Sequence, residues 1–130
     1  MKMKGRVING GNASGETLVL DVPFSFIGDF DPETGKLTIL NHPLFGKSLA
    51  NKILVCPTGK GGTIAPFIAY QAKKKGNAPA AILCEKVEPI LCESALAINI
   101  PILDSFGESL SKTIKTGQFI SINNGEVVID

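Results

Sequence analysis

Residues 53–67 read ILVCPTGKGGTIAPF: an apolar run closes on a proline, and after Thr58 come Gly59, Lys60, Gly61, Gly62 and Thr63. Glycines at this density let a backbone bend through positive φ and let a ligand approach the peptide N–H groups. A helix starting near Thr63 would aim its first amides and the positive end of its dipole back into the same turn. Lys60 adds a cation and Thr63 a hydroxyl at the rim. The chemistry offered is an anion cradle carrying a hydroxyl. The competing reading is a tight strand-to-helix turn that binds nothing, and short glycine-rich turns are common enough to keep it open.

Other polar candidates lie upstream, in PFSFIGDFDPETG and LNHPLFG. Asp31, followed by Pro32 and Gly35, has the pattern of a turn initiator bonding its own backbone. Asp29 follows Gly28 in an apolar setting, which suits a substrate or interface contact. Ser25 fits either a buried, satisfied hydroxyl or a site residue. His42, the single histidine, fits a hydrogen-bonded loop position or a contact at an interface or site mouth. Cys56, Cys84 and Cys92 match neither zinc spacing nor a C-x-x-C pair, so they read as buried thiols. A metal centre built by this chain alone is not expected.

With 130 residues and 44% apolar composition, the chain has the size of one soluble domain with a core of its own. A formal net charge of +1 leaves no footprint for nucleic acid. Lys73, Lys74 and Lys75 are the one basic run, and a solvated helix end accounts for them. The apolar runs are too short for a membrane span. The start MKMKGRV lacks an apolar signal core, which implies a cytoplasmic protein.

The elements that must position these groups follow from periodicity. KGRVI and TLVLD read as strands separated by the turn cluster NGGNASGE; a strand-poor stretch leads to KLTIL, and NHPLFGKSLAN is irregular. KILVC, APAAILCE and IPILD read as strands buried on both faces. Between them, Ile64, Phe67, Ile68 and Ala72 fall at helical spacing, with Lys73–Lys75 and Gly76 as the stop. A second helix runs through VEPILCESALAINI with Pro89 in its first turn. SFGESLSKTIKTG fits a short helix or an irregular turn. QFISIN and EVVID form a hairpin about Asn124-Gly125. The predicted fold class is α/β: a compact β/β/α domain with a parallel or mixed central sheet.

Taken together, FSFIGDFDPETGKL, NHPLFGKSLANKILVCPTGKGGT and GNAPAAILCEKVEPILCESALAINIPILD resemble the aconitase X swivel-domain, or small-subunit, family, from about Gly5 to Asp130. The resemblance implies a swivelling β/β/α domain, as in the aconitase small domain, that closes over a large catalytic subunit to form a heterodimer. It implies a hydro-lyase subunit active only with that partner. The iron–sulfur cluster or iron is expected in the large subunit, and no cofactor on this chain. Family members of known activity dehydrate mevalonate 5-phosphate, giving trans-anhydromevalonate 5-phosphate, or cis-3-hydroxy-L-proline. The first is the expected reaction and the second the alternative, beside a non-catalytic, anion-binding lid.

The family's turn reads Gly-Arg-Gly-Ser, with the serine as proton acceptor. Gly59 and Gly61 match, Lys60 stands for the arginine, and Gly62 occupies the serine's place. Thr63, one residue on, is the hydroxyl left to take that role. Gly59, Lys60 and Gly61, with Asp29 and Ser25, are then expected to bind the substrate, and His42 to stand at the interface or site mouth. The segment GGTIAPFIAYQAKKKGNAPAAIL also resembles the phosphohistidine swivel domains, but their histidine is absent here, so phosphoryl transfer by that route is excluded.

Overall fold

The computed structural model describes residues 1–130. Its elements are β1 (Lys2–Lys4), β2 (Arg6–Asn9), β3 (Asn12–Val19), β4 (Ile53–Cys56), α1 (Ala65–Lys74), β5 (Ala81–Cys84), α2 (Pro89–Ala97), β6 (Ile102–Asp104), α3 (Leu110–Thr113), β7 (Phe119–Asn123) and β8 (Glu126–Ile129). The eight strands form one sheet in the order β1-β8-β7-β3-β4-β5-β6-β2. From β3 to β6 neighbours run parallel, with α1 joining β4 to β5 and α2 joining β5 to β6; the remaining pairings are antiparallel. The outermost strands, β1 and β2, are separated in the chain by Gly5 alone. Both edges of the sheet therefore meet, and the sheet curls into a nearly closed barrel. Gly5 is required there, because a Cβ would lie 2.5 Å from the Phe106 ring.

Closure explains why the central strands are buried on both faces. Successive side chains alternate across a strand. Leu54, Cys56, Ile82, Cys84 and Ile102 join the cluster under the helices. Ile53, Val55, Ala81, Leu83 and Leu103 fill the barrel interior with Met3, Ile120, Ile122 and Val127. No helix is long and apolar enough to cross a membrane.

Two sequence expectations need correction. NASGE is not a turn: β3 begins at Asn12 and runs through it, pairing with β7 from Asn12↔Asn123 to Glu16↔Phe119. Its polar residues suit a strand with one wet face, and Gly15 is glycine because Asn51 O would stand 2.8 Å from a Cβ. Helix α1 starts at Ala65, not Thr63, and its phase differs: Ala65, Ala69 and Ala72 are buried while Ile64 and Phe67 are exposed. The alanines face inward because α1 packs closely against α2.

Cys56 and Cys84 are register partners on β4 and β5, with sulfurs 3.6 Å apart. Their mutual hydrogen bond, together with burial, pushes the Cys84 thiol far above its usual range. Because the thiolate is the nucleophile, Cys84 should resist alkylation in native protein at pH 8, and burial should shield Cys56 from the reagent, while half-buried Cys92 reacts first. Mass spectrometry after a timed iodoacetamide pulse checks this; rapid labelling of Cys56 or Cys84 would contradict it.

Candidate functional site

The glycine-rich turn leaves β4 at its C-terminal end and enters α1. Gly61 and Gly62 both lie in the left-handed region, at φ 86° and 96°. That path leaves the amides of Gly61, Gly62, Thr63 and Ile64 without a protein acceptor. Four N–H groups at the start of a ten-residue helix, with no acidic side chain in its first turn, make an electropositive surface suited to a carboxylate or phosphate. Thr63 is exposed beside them.

The long segment from 20 to 52 braces this turn almost without regular structure. Phe24, Phe26 and Phe30 stack edge to face, with centroids 5.0 and 5.3 Å apart, and fix the backbone between them. Phe24 N–H donates to Thr58 O at 3.0 Å, tying this segment to the turn. Ser25 Oγ donates to Gly61 O at 2.9 Å and accepts from Ile27 N–H at 3.1 Å. Asp29, buried, accepts the Ser25 N–H at 3.0 Å, and Lys60 Nζ lies 2.9 Å from its Oδ2. Ser25, Asp29, Lys60 and Gly61 thus form one connected network.

The network changes the assignment of roles. Lys60 is paired with Asp29, so its charge is largely balanced, and the free amides are the groups left to meet an anion. Ser25 Oγ gives its one proton to Gly61 O and acts as a brace. Gly59 is a spacing residue: a Cβ there would stand 2.5 Å from Glu88 Oε1 and 2.7 Å from Leu91 Cβ. Glu88 caps α2 through Ile90 N–H and Leu91 N–H at 2.9 and 3.0 Å. Glu88 and Ile27 escaped the sequence reading. The sequence signal for the former is an acid immediately before Pro89, where an N-cap precedes a helix-starting proline.

His42 stands apart from the network. Its Nδ1 accepts from Leu44 N–H at 3.0 Å, so Nε2 carries the proton that faces Asp21 Oδ1 at 2.9 Å. That bond holds the Asp21 carboxyl below the usual carboxylate range. Asp31 initiates its turn as its sequence suggests, accepting from Glu33 N–H and Thr34 Oγ1 at 3.0 Å each.

Gly62 offers a direct test of the turn. A serine there would have to adopt φ near 96° with its Cβ 3.2 Å from Ile27 Cδ1 and 3.5 Å from Ser25 Oγ. Gly62→Ser should lower unfolding stability by about 1–2 kcal/mol, read from a urea transition. An unchanged midpoint would mean that the turn adopts another path.

The turn borders no enclosed cavity. The three clefts of the surface are lined by other residues; one of about 240 Å³, between Leu20, Pro57, Glu85 and Leu110, sits past the ends of β3 to β5. No group of three or more His, Cys, Asp or Glu side chains comes together as a metal site. With two thiols sealed between strands and Cys92 on α2, the residues present do not fit an iron or iron–sulfur centre. What the chain carries is half of a site: anion donors and a hydroxyl on an open surface.

A family model described as aconitase X swivel domain matches residues 2–130. The phosphomevalonate dehydratase small subunit of Methanosarcina acetivorans is 41% identical over 130 residues, which span 100% of this chain and 90% of that protein. The protein of the same name from Thermococcus kodakarensis is 44% identical over 131 residues, spanning 99% of this chain and 96% of that one. The crystal structure of Thermococcus kodakaraensis aconitase X in its holo-form matches with a TM-score of 0.91 at 42% identity, covering 100% of this chain and 98% of that chain.

Proposed function

The chain belongs to the aconitase X swivel-domain family, and from that membership we propose that it is the small subunit of a phosphomevalonate dehydratase. The observation that carries this reading is the end-to-end likeness to subunits of that name at about 40% identity, joined to the same fold. It is a hydro-lyase subunit of the mevalonate pathway and works with a large subunit. The open half-site supports that division, since nothing on this chain closes over a substrate.

In this reading the complex is a cytoplasmic heterodimer, and the substrate is mevalonate 5-phosphate. Iron or an iron–sulfur cluster resides in the large subunit, and this chain gives it no ligand. The amides of Gly61 to Ile64 hold an anionic end of the substrate, and Thr63 Oγ1, as the alkoxide, takes the α-proton and becomes the neutral hydroxyl; the substrate hydroxyl leaves as water with a proton from solvent, to which Thr63 then returns its own. A threonine serves as a base only where its alkoxide is stabilised. The helix start supplies that field, while Lys60 stays paired with the buried Asp29.

The test is a dehydration assay on the co-expressed, anaerobically prepared complex, with mevalonate 5-phosphate and cis-3-hydroxy-L-proline in parallel. Turnover of the first alone is the expected result. Turnover of the second alone would reassign the substrate while keeping the reaction class.

A further inference from the structure

Helix α1 is inverted with respect to the usual rule. Three of the nine large apolar side chains that the whole surface exposes belong to it or its cap: Ile64, Phe67 and Tyr70, at 55%, 70% and 52% exposure. At 100° per residue these three fall on one side of the helix, opposite the buried Ala65, Ala69 and Ala72. The stripe is continuous with the candidate site, because Ile64 directly follows Thr63 and donates one of the free amides. At its far end Lys74 Nζ sits 5.7 Å from the Tyr70 ring. Lys75 is engaged by Glu33 at 2.8 Å, whereas Lys73 and Lys74 have no acidic partner on this chain.

An exposed aromatic stripe is costly for a protein that acts alone, and interfaces concentrate Phe and Tyr at their desolvated centres. The half-site fixes which surface must be covered. Whatever completes it has to approach across Thr63 and Ile64, and so meets Phe67 and Tyr70 one and two turns further on. We propose that the Ile64–Phe67–Tyr70 face of α1 is the docking surface for the large subunit, which presents an apolar patch bordered by carboxylates opposite Lys73 and Lys74. This rests on the reading of the chain as a small subunit. It goes further by naming the surface and the chemistry facing it.

Phe67→Glu suits the test, because the side chain is exposed and glutamate is a good helix former. Affinity for the separately purified large subunit is measured by calorimetry, beside Phe119→Glu on β7 as a control for loss of an exposed aromatic elsewhere. The Kd should rise about 30-fold or more for Phe67→Glu and stay unchanged for Phe119→Glu, with both variants unfolding cooperatively. Tyr70 is the single tyrosine of the chain, so fluorotyrosine labelling gives one ¹⁹F resonance, which should shift on adding the large subunit. Tight binding by Phe67→Glu with an unmoved resonance would overturn the docking surface even if the complex dehydrates mevalonate 5-phosphate. Docking as described in a complex that dehydrates nothing would leave the surface standing and sink the assigned reaction. Absence of any complex with the wild type would overturn both.

Discussion

Thr63→Ala in the assembled enzyme is expected to lower kcat about 100-fold or more while KM changes little. General-base catalysis by a positioned side chain contributes about 10²–10⁴-fold, and removing a group used only in the transition state lowers kcat and kcat/KM together. The choice of Thr63 follows from the bonds around it. Gly62 has no side chain to offer, and the Ser25 hydroxyl is committed to Gly61 O and Ile27 N–H. Thr63 stays exposed at the start of α1, next to amides without protein partners. Thr63→Ser should recover much of the rate, since it restores the hydroxyl. An alanine variant that raises KM and spares kcat would make Thr63 a binding contact and remove it from proton transfer. Ser25→Ala, by contrast, should loosen the turn and weaken substrate binding, because it deletes the brace on Gly61.

The second large effect concerns the scaffold. Asp104→Ala should cost about 3 kcal/mol of unfolding free energy, from lost packing, the lost Arg6 pair and an orphaned half-buried amide at Val87. Asp104 is fully buried, yet it accepts both Arg6 Nε and Nη2 at 2.8 Å and Val87 N–H at 2.9 Å. One carboxylate therefore ties β2 to β6 and sets the strand-to-helix segment that leads to the Glu88 cap and, through it, the space around Gly59. The Arg6 hydrogen bonds hold the Asp104 carboxyl below its ordinary value of 3.8, against the opposing effect of burial. A carboxylate whose folded pKa is depressed stabilises the fold fully above its unfolded pKa, and that contribution fades as pH falls through the folded value. Asp21, also depressed by its partner His42, acts in the same direction. Wild-type stability should thus decline below about pH 4, and the decline should be shallower in Asp104→Ala. Urea transitions between pH 2.5 and 7 measure it; parallel curves would show that Asp104 carries no such linkage.

How much of this is legible in the sequence depends on whether a residue's partner is local. The buried strands KILVC, AILC and ILD announce themselves by continuous apolar runs, and Asn124-Gly125 marks the terminal hairpin. The turn of Asp31 is equally local. β3 hides within NASGE because its pairing with β7 is long-range and its outer face is wet, so composition imitates a loop. The phase of α1 misleads for a related reason: hydrophobic size usually marks the buried face, and here close helix packing selects alanine while the large side chains stay outside. At the site, the residue types of Asp29, Lys60, Ser25 and Gly61 suggest polar chemistry. Their union into one network is a product of the fold, across a separation of more than thirty positions. Glu88 and Ile27 act through the space they fill beside Gly59 and Gly62, and no local pattern encodes that.

The most direct measurement compares three samples on mevalonate 5-phosphate under anaerobic conditions: this chain alone, the large subunit alone, and the two together. Formation of the dehydrated product in the mixture only, with loss of activity when the chain carries Thr63→Ala, is the predicted result. Turnover by either subunit alone, or a stable wild-type complex that leaves mevalonate 5-phosphate intact, would contradict the account.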